Sequence, residues 1–167
     1  MNSLISGKAW VFGDNIDTDL LAPGAYMKGS IAELAAHCLE AVDPHFASGV
    51  KPGDIMIAGE AFGIGSSREQ AAQALVELGV AAIVAKSFAR IFYRNALNLG
   101  LPVLFCPALA DVAPGDHISV DLKQGLVTNH SRQQQFSCEA IPPQLMEILA
   151  AGGLMPHLKQ RFAKKAE

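Results

Sequence analysis

Cysteine is scarce in this sequence. Cys38, Cys106 and Cys138 are its three cysteines in 167 residues, and no two of them form a CxxC pair. Chains that hold zinc or an iron–sulfur cluster usually show such spacing, so this one carries no recognisable thiolate ligand set of its own. Three scattered thiolates can still meet in space. However, Cys106 ends an apolar run and Cys38 lies in an Ala/Leu-rich helical pattern, which favours buried thiols acting as small hydrophobes. A disulfide framework is not expected in a reducing cytoplasm. The five histidines show no HxxxH spacing. Charge is also sparse: only 17% of residues are charged and the formal net charge is −3, which argues against a nucleic acid or an anionic membrane as partner. No apolar run reaches the roughly 18–20 residues that span a bilayer. The start, "MNSLISGKAWVFG", lacks the basic, apolar and small-residue regions of a signal peptide. A cytoplasmic chain is expected. With no internal linker, low-complexity tract or repeat, residues 1–167 read as one domain, with 153–167 as a helical tail.

Hydrophobic residues make up 50% of the chain, enough for a sizeable core. "KAWVFG" (8–13) reads as a buried strand and "DNIDTD" (14–19) as a loop that continues through Pro23-Gly24. Ser30 is placed to cap a helix over "IAELAAHCLEA", with Glu33 as its capping-box partner. A Pro-Gly-Asp turn then leads into a strand, and "VAPGD" (112–116) repeats the device. From residue 54 to Cys106 the pattern is strand, helix, strand, helix, strand, which predicts crossovers onto a largely parallel sheet. Residues 116–138 alternate like a β-meander, and Pro142-Pro143 opens a further helix.

The stretch "GIGSSREQA" (63–71) lies between a strand and a helix. It supports two readings. Ser66-x-x-Glu69 and Ser67-x-x-Gln70 both fit a capping box. Equally, two glycines, two hydroxyls and a guanidinium at the positive end of a helix suit a carboxylate or phosphate. A Walker loop is excluded because no Gly-Lys-Ser/Thr is present, and a dinucleotide fingerprint is weak without its third glycine.

"GEAFGIGSSREQAA" and "GVAAIVAKSFARIFYRNALNLGLPVL" resemble the swivel domain of the aconitase superfamily. Over roughly residues 7–150 the chain is similar to the stand-alone small subunits of isopropylmalate dehydratases and archaeal-type homoaconitases. The resemblance implies an α/β fold: a swivelling β/β/α domain whose mixed, largely parallel sheet is flanked by helices and joined by the meander. It also implies a hydro-lyase that removes water from a hydroxy-dicarboxylate and returns it at the neighbouring carbon. A four-iron four-sulfur cluster would sit on a separate large subunit, in a heterodimer or heterotetramer, with no cofactor bound by this chain. Carried over by residue, Ser66 would be the proton-abstracting base, Ser67 would help bind substrate, and Arg68 would pair with a substrate carboxylate. Thr18 and Asp19 would line the site.

Lys28, in Tyr26-Met27-Lys28-Gly29, falls where the family varies its substrate-selecting loop, and departs from both an apolar residue and an arginine there. It faces the substrate's variable group or is a solvated lysine. Ile64 and Gln70 stand where many members have cysteine and histidine. Arg90 and Arg94 touch the partner, support the corner or are solvated. A serine acts as a base only where dipoles and cations stabilise its alkoxide, and a helix start beside Arg68 supplies such a field. The competing functions are a homoaconitase-like or dimethylmalate-type hydro-lyase, and a non-catalytic anion-binding or regulatory module.

Overall fold

The computed structural model describes residues 3–166. In chain order the elements are β1 (Leu4–Val11), α1 (Thr18–Leu21), α2 (Ile31–Ala36), α3 (Phe46–Gly49), β2 (Ile55–Ala58), α4 (Gln70–Glu77), β3 (Ala82–Ala85), α5 (Arg90–Asn98), β4 (Val103–Phe105), β5 (His117–Asp121), β6 (Leu126–Asn129), β7 (Gln134–Ser137), α6 (Pro143–Ala150) and α7 (Leu154–Lys165). The strands form a mixed sheet in the order β4-β3-β2-β1-β5-β6-β7. β1 joins its two halves: Leu4–Lys8 pair antiparallel with β5, while Ala9–Val11 pair parallel with β2. The expected parallel half and meander are therefore one sheet, and β1 starts four residues earlier than its apolar run suggests. Its first half is half-solvated and alternating, a pattern that antiparallel pairing permits.

β2 and β3 are buried at every residue. This is the signature of parallel strands covered on both faces. Met56 and Ile83 within them, and Phe46, Phe62 and Leu104 elsewhere in the core, are fully enclosed. The two edges of the strand order do not stay apart. The sheet curls until the chain after β7 meets the end of β4, where Glu139 N–H donates to the Phe105 carbonyl at 3.0 Å. Cys106 and Cys138 are bonded to each other across that seam. This corrects the expectation of three separate thiols. The pairing follows from curvature, which linear spacing does not reveal. Cys38 alone stays free, fully buried, with burial pushing its thiol up to about 12.

The repeated Pro-Gly-Asp turns share one mechanism. Asp54 accepts the Lys51 N–H at 2.9 Å and the Trp10 indole N–H at 2.9 Å. Asp116 accepts the Ala113 N–H at 2.9 Å, the Asn129 amide at 2.9 Å and the Arg132 Nε–H at 3.1 Å. Each carboxylate closes its own turn and latches it to a neighbouring strand.

Candidate functional site

The loops that follow β1, β2 and β3 meet at the carboxyl ends of the parallel strands, where α/β sheets place their ligands. Backbone bonds stitch the first two together: Gly59 N–H to the Gly13 carbonyl at 3.1 Å, Asn15 to Glu60 at 2.8 Å, Gly63 to Ile16 at 2.7 Å and Thr18 to Ile64 at 2.9 Å. Asp14 Oδ1 accepts the Glu60 N–H at 2.7 Å. The third loop contributes Ser87, whose Oγ accepts the Ala61 N–H at 2.8 Å and donates to Glu60 Oε2 at 2.6 Å. Ala61 and Asn15 are held at φ 57°, a left-handed conformation that non-glycine residues adopt only under constraint. Gly63 is required because a Cβ there would overlap the Phe92 ring. Gly65, at φ 117°, passes so close to Thr18 that a Cβ would sit 2.9 Å from its hydroxyl.

That approach creates the central contact. Asp17 caps the single turn of α1 by accepting the Leu20 N–H at 2.8 Å. The turn aims the buried Thr18 side chain at Ser66. Thr18 Oγ1 accepts the Ser66 N–H at 3.1 Å and also lies 3.1 Å from Ser66 Oγ. Because the backbone N–H uses an acceptor site on Thr18, the hydroxyl proton of Thr18 is free to point at Ser66 Oγ.

Arg68 swings back to the same turn. Its Nη1 donates to Asp19 Oδ1 at 2.9 Å and to the Ala22 carbonyl at 3.0 Å. Asp19 Oδ1 also accepts the Gly24 N–H at 3.3 Å. The Arg68 hydrogen bond, then the Gly24 N–H, hold the Asp19 carboxyl below its ordinary 3.8. Among the described residues nothing bonds Nε or Nη2 of Arg68, so an edge of the guanidinium remains open to an incoming carboxylate.

Four of the six expected site residues thus form two hydrogen-bonded pairs, Thr18 with Ser66 and Asp19 with Arg68, both closing on the turn of α1. Ser67 and Lys28 are exposed and bond to none of them. Lys28 follows a 3-10 turn over Gly24–Tyr26. Tyr26 stacks on His37 with ring centroids 3.6 Å apart, and His37 Nδ1 meets Glu40 at 2.7 Å. The capping reading of the serines is corrected: α4 begins only at Gln70, after Glu69, and no side chain caps it. The two positive-φ glycines turn the chain away from the helix axis before Ser66, which faces Thr18 instead. Sequence reasoning missed Glu60 and Ser87. The available signal was their position, each just beyond the end of a buried strand.

Among the described residues no three His, Cys, Asp or Glu side chains converge on a possible metal site. Two of the cysteines are bonded together and the third is a buried, protonated thiol, so the donor set does not fit an iron–sulfur cluster. No helix among those residues is long and apolar enough to cross a membrane.

An exposed serine braced by a buried threonine, with an arginine two residues further on, thus sits at the mouth of the mixed sheet. The model of the aconitase C-terminal domain matches residues 24–107, and the chain belongs to that family. The match takes in Ser66, Ser67, Arg68 and Lys28 but not Thr18 or Asp19. Its similarities narrow further, to small subunits. It is 48% identical over 158 residues to a methanogen homoaconitase small subunit from Methanothermobacter thermautotrophicus, covering 94% of this chain and 92% of that one. It is 47% identical over 169 residues to 3-isopropylmalate dehydratase small subunit 1 of Methanopyrus kandleri, covering 100% of this chain and 99% of that one. A crystal structure of 3-isopropylmalate dehydratase from Methanocaldococcus jannaschii superposes with a TM-score of 0.92 at 43% identity, covering 98% of both chains.

Proposed function

We propose that the chain is the small subunit of a two-subunit hydro-lyase that interconverts 2-isopropylmalate and 3-isopropylmalate by dehydration and rehydration, a step of leucine biosynthesis in the cytoplasm. The observation that carries the reading is the Thr18–Ser66 contact beside the open edge of Arg68. Ser66 Oγ is exposed and takes the proton alpha to a substrate carboxylate. The alkoxide form is stabilised by the Thr18 hydroxyl, which is buried and so donates without competition from water on its own side. Arg68, fixed by Asp19 and the Ala22 carbonyl, presents Nε and Nη2 to a carboxylate and adds a positive charge near Ser66. Ser67 is free to bond substrate as it docks. Since the corner is open to solvent, a partner must close over it to exclude water.

The large subunit, in a heterodimer or heterotetramer, would carry a four-iron four-sulfur cluster that supplies the Lewis acid for the departing hydroxyl. This chain's residues bind, orient and move the proton. The unit over 1–167 acts as one swivelling domain, with 153–167 as its tail.

A homoaconitase-type substrate is the second reading, and Lys28 favours it. An exposed cation suits an added carboxylate better than an isopropyl group. Co-expression with the large subunit, anaerobic iron reconstitution and a panel of hydroxy acids test both readings. Turnover of isopropylmalate is expected. Turnover confined to a tricarboxylate would move the assignment to the second reading, and none with any hydroxy acid would sink the hydro-lyase. Ser66→Ala should abolish turnover while the melting temperature and partner binding hold.

A further inference from the structure

A groove of about 300 Å³ lies along α5, lined by none of the residues of the Ser66 corner. Phe88, Tyr93, Phe105 and Leu145 form its apolar wall, and Arg90 and Arg94 stand at its rim. The aromatic part is continuous: Phe88 and Phe105 pack edge to face with centroids 5.2 Å apart, and Tyr93 meets Phe105 at 5.2 Å. Neither arginine makes a hydrogen bond or ion pair among the described residues, and both are exposed. Glu139, whose charge helps raise the Tyr93 hydroxyl after burial does, pairs with neither.

The placement of these cations is unfavourable for the isolated chain. They sit four residues apart on one helix face, where like charges repel. Arg90 is the first residue of α5 and Arg94 lies one turn further in, at the end where the helix dipole is already positive. A helix optimised only for stability would carry carboxylates there. Two uncompensated guanidiniums over an aromatic wall instead match the composition of interface anchors, which are rich in Arg, Tyr and Phe and poor in Lys. The groove also opens beside the site loops. Phe88 directly follows Ser87, the residue that holds Ala61 and Glu60, and Phe62 N–H donates to the Ser87 carbonyl at 3.0 Å.

We infer that this groove is an anchor point for the large subunit, filled by a segment that presents one or two carboxylates next to an apolar side chain. The inference rests on the two-subunit reading above and adds where the partner holds on. Guanidiniums bond carboxylates bidentately, and the aromatic wall desolvates the pair, so the contact contributes both affinity and orientation. A partner anchored here, one residue from Ser87, would be held next to the corner it must close.

The test measures binding of the purified large subunit to wild type, Arg90→Glu/Arg94→Glu and Arg90→Gln/Arg94→Gln by calorimetry at low and high salt, with melting curves of each chain alone. The charge reversal is expected to weaken binding at least 100-fold, and the neutral pair roughly 10-fold with most of the salt dependence lost. Both variants should melt no lower than wild type, because the charges removed oppose the helix dipole. The neutral pair keeps the test decisive if the reversal impairs folding. Affinity within twofold of wild type in a folded variant would overturn the inference while leaving the proposed function standing; an occupant that is instead a free small carboxylate would give this result. Lost affinity that simply tracks a lower melting temperature would also overturn it. A wild-type chain that binds no large subunit would overturn both.

Discussion

Ser66 is separated from Thr18 by 48 residues, yet the two hydroxyls define the corner. The serine was legible in the sequence because its neighbours are glycines and an arginine. Its partner was legible only as part of a polar loop, since nothing in "DNIDTD" says which side chain turns inward. Burial decides it: Thr18 is 4% exposed, whereas Asp19 is solvated and free to reach Arg68. Thr18→Val keeps the shape and removes the donor. On the reconstituted enzyme it should lower kcat by about 100-fold, the scale for losing one donor to a developing oxyanion, with KM little changed. Thr18→Ser should restore most of the rate. Equal kcat for the valine variant and wild type would show that Thr18 only shapes the loop.

At the scale of elements, similar sequence signatures had different outcomes. Ser30 and Ser67 both precede a helical pattern with a Glu or Gln three residues on. Ser30 does cap α2, accepting the Glu33 N–H at 3.1 Å, whereas Ser67 caps nothing. The difference is Gly65, whose positive φ diverts the chain and delays α4 to Gln70. The capping box is a local signal, and a functional turn overrode it. Melts of the isolated chain should therefore show Ser30→Ala losing about 1 kcal/mol and Ser67→Ala changing by less than about 0.5 kcal/mol. A loss at Ser67 as large as at Ser30 would restore the capping reading. The second Pro-Gly-Asp turn has its own pH signature. Asn129, the Ala113 N–H and Arg132 hold the Asp116 carboxyl below its ordinary 3.8. A group whose pKa is lowered by folding stabilises the fold above its unfolded value, and loses that contribution as pH falls through the folded value. Asp116→Asn should thus melt lower than wild type at pH 6, with the gap closing as the pH falls below the ordinary 3.8. A gap that stays constant down to strongly acidic pH would mean that shape, not charge, sets the turn.

Across the whole molecule, the alternation of strands and helices made the parallel half legible and the period-two pattern made the meander legible. Nothing in the sequence showed that the two would close on each other. Closure depends on the summed twist of the strands, a property of the assembled sheet. It leaves β4 and the end of β7 sharing a seam at which Glu139 bonds Phe105 and Cys106 bonds Cys138. That contact covers the end of β4, part of an edge that would otherwise be a template for aggregation. The bond spans 32 residues of chain, so a loop-entropy account gives it about 3–4 kcal/mol of stabilisation when formed. Cys138→Ser should therefore lower the melting temperature of oxidised protein by several degrees, and adding reductant should bring wild type down to the variant. Amide exchange should localise the effect. Protection of the Glu139 N–H should fall, while that of β2 and β3, buried on both faces, should hold until global unfolding. If wild type and variant melt together without reductant, the seam is held by packing and hydrogen bonds alone. If exchange rises equally in β2 and at Glu139, the sheet opens as a single unit and the bridge stabilises all of it.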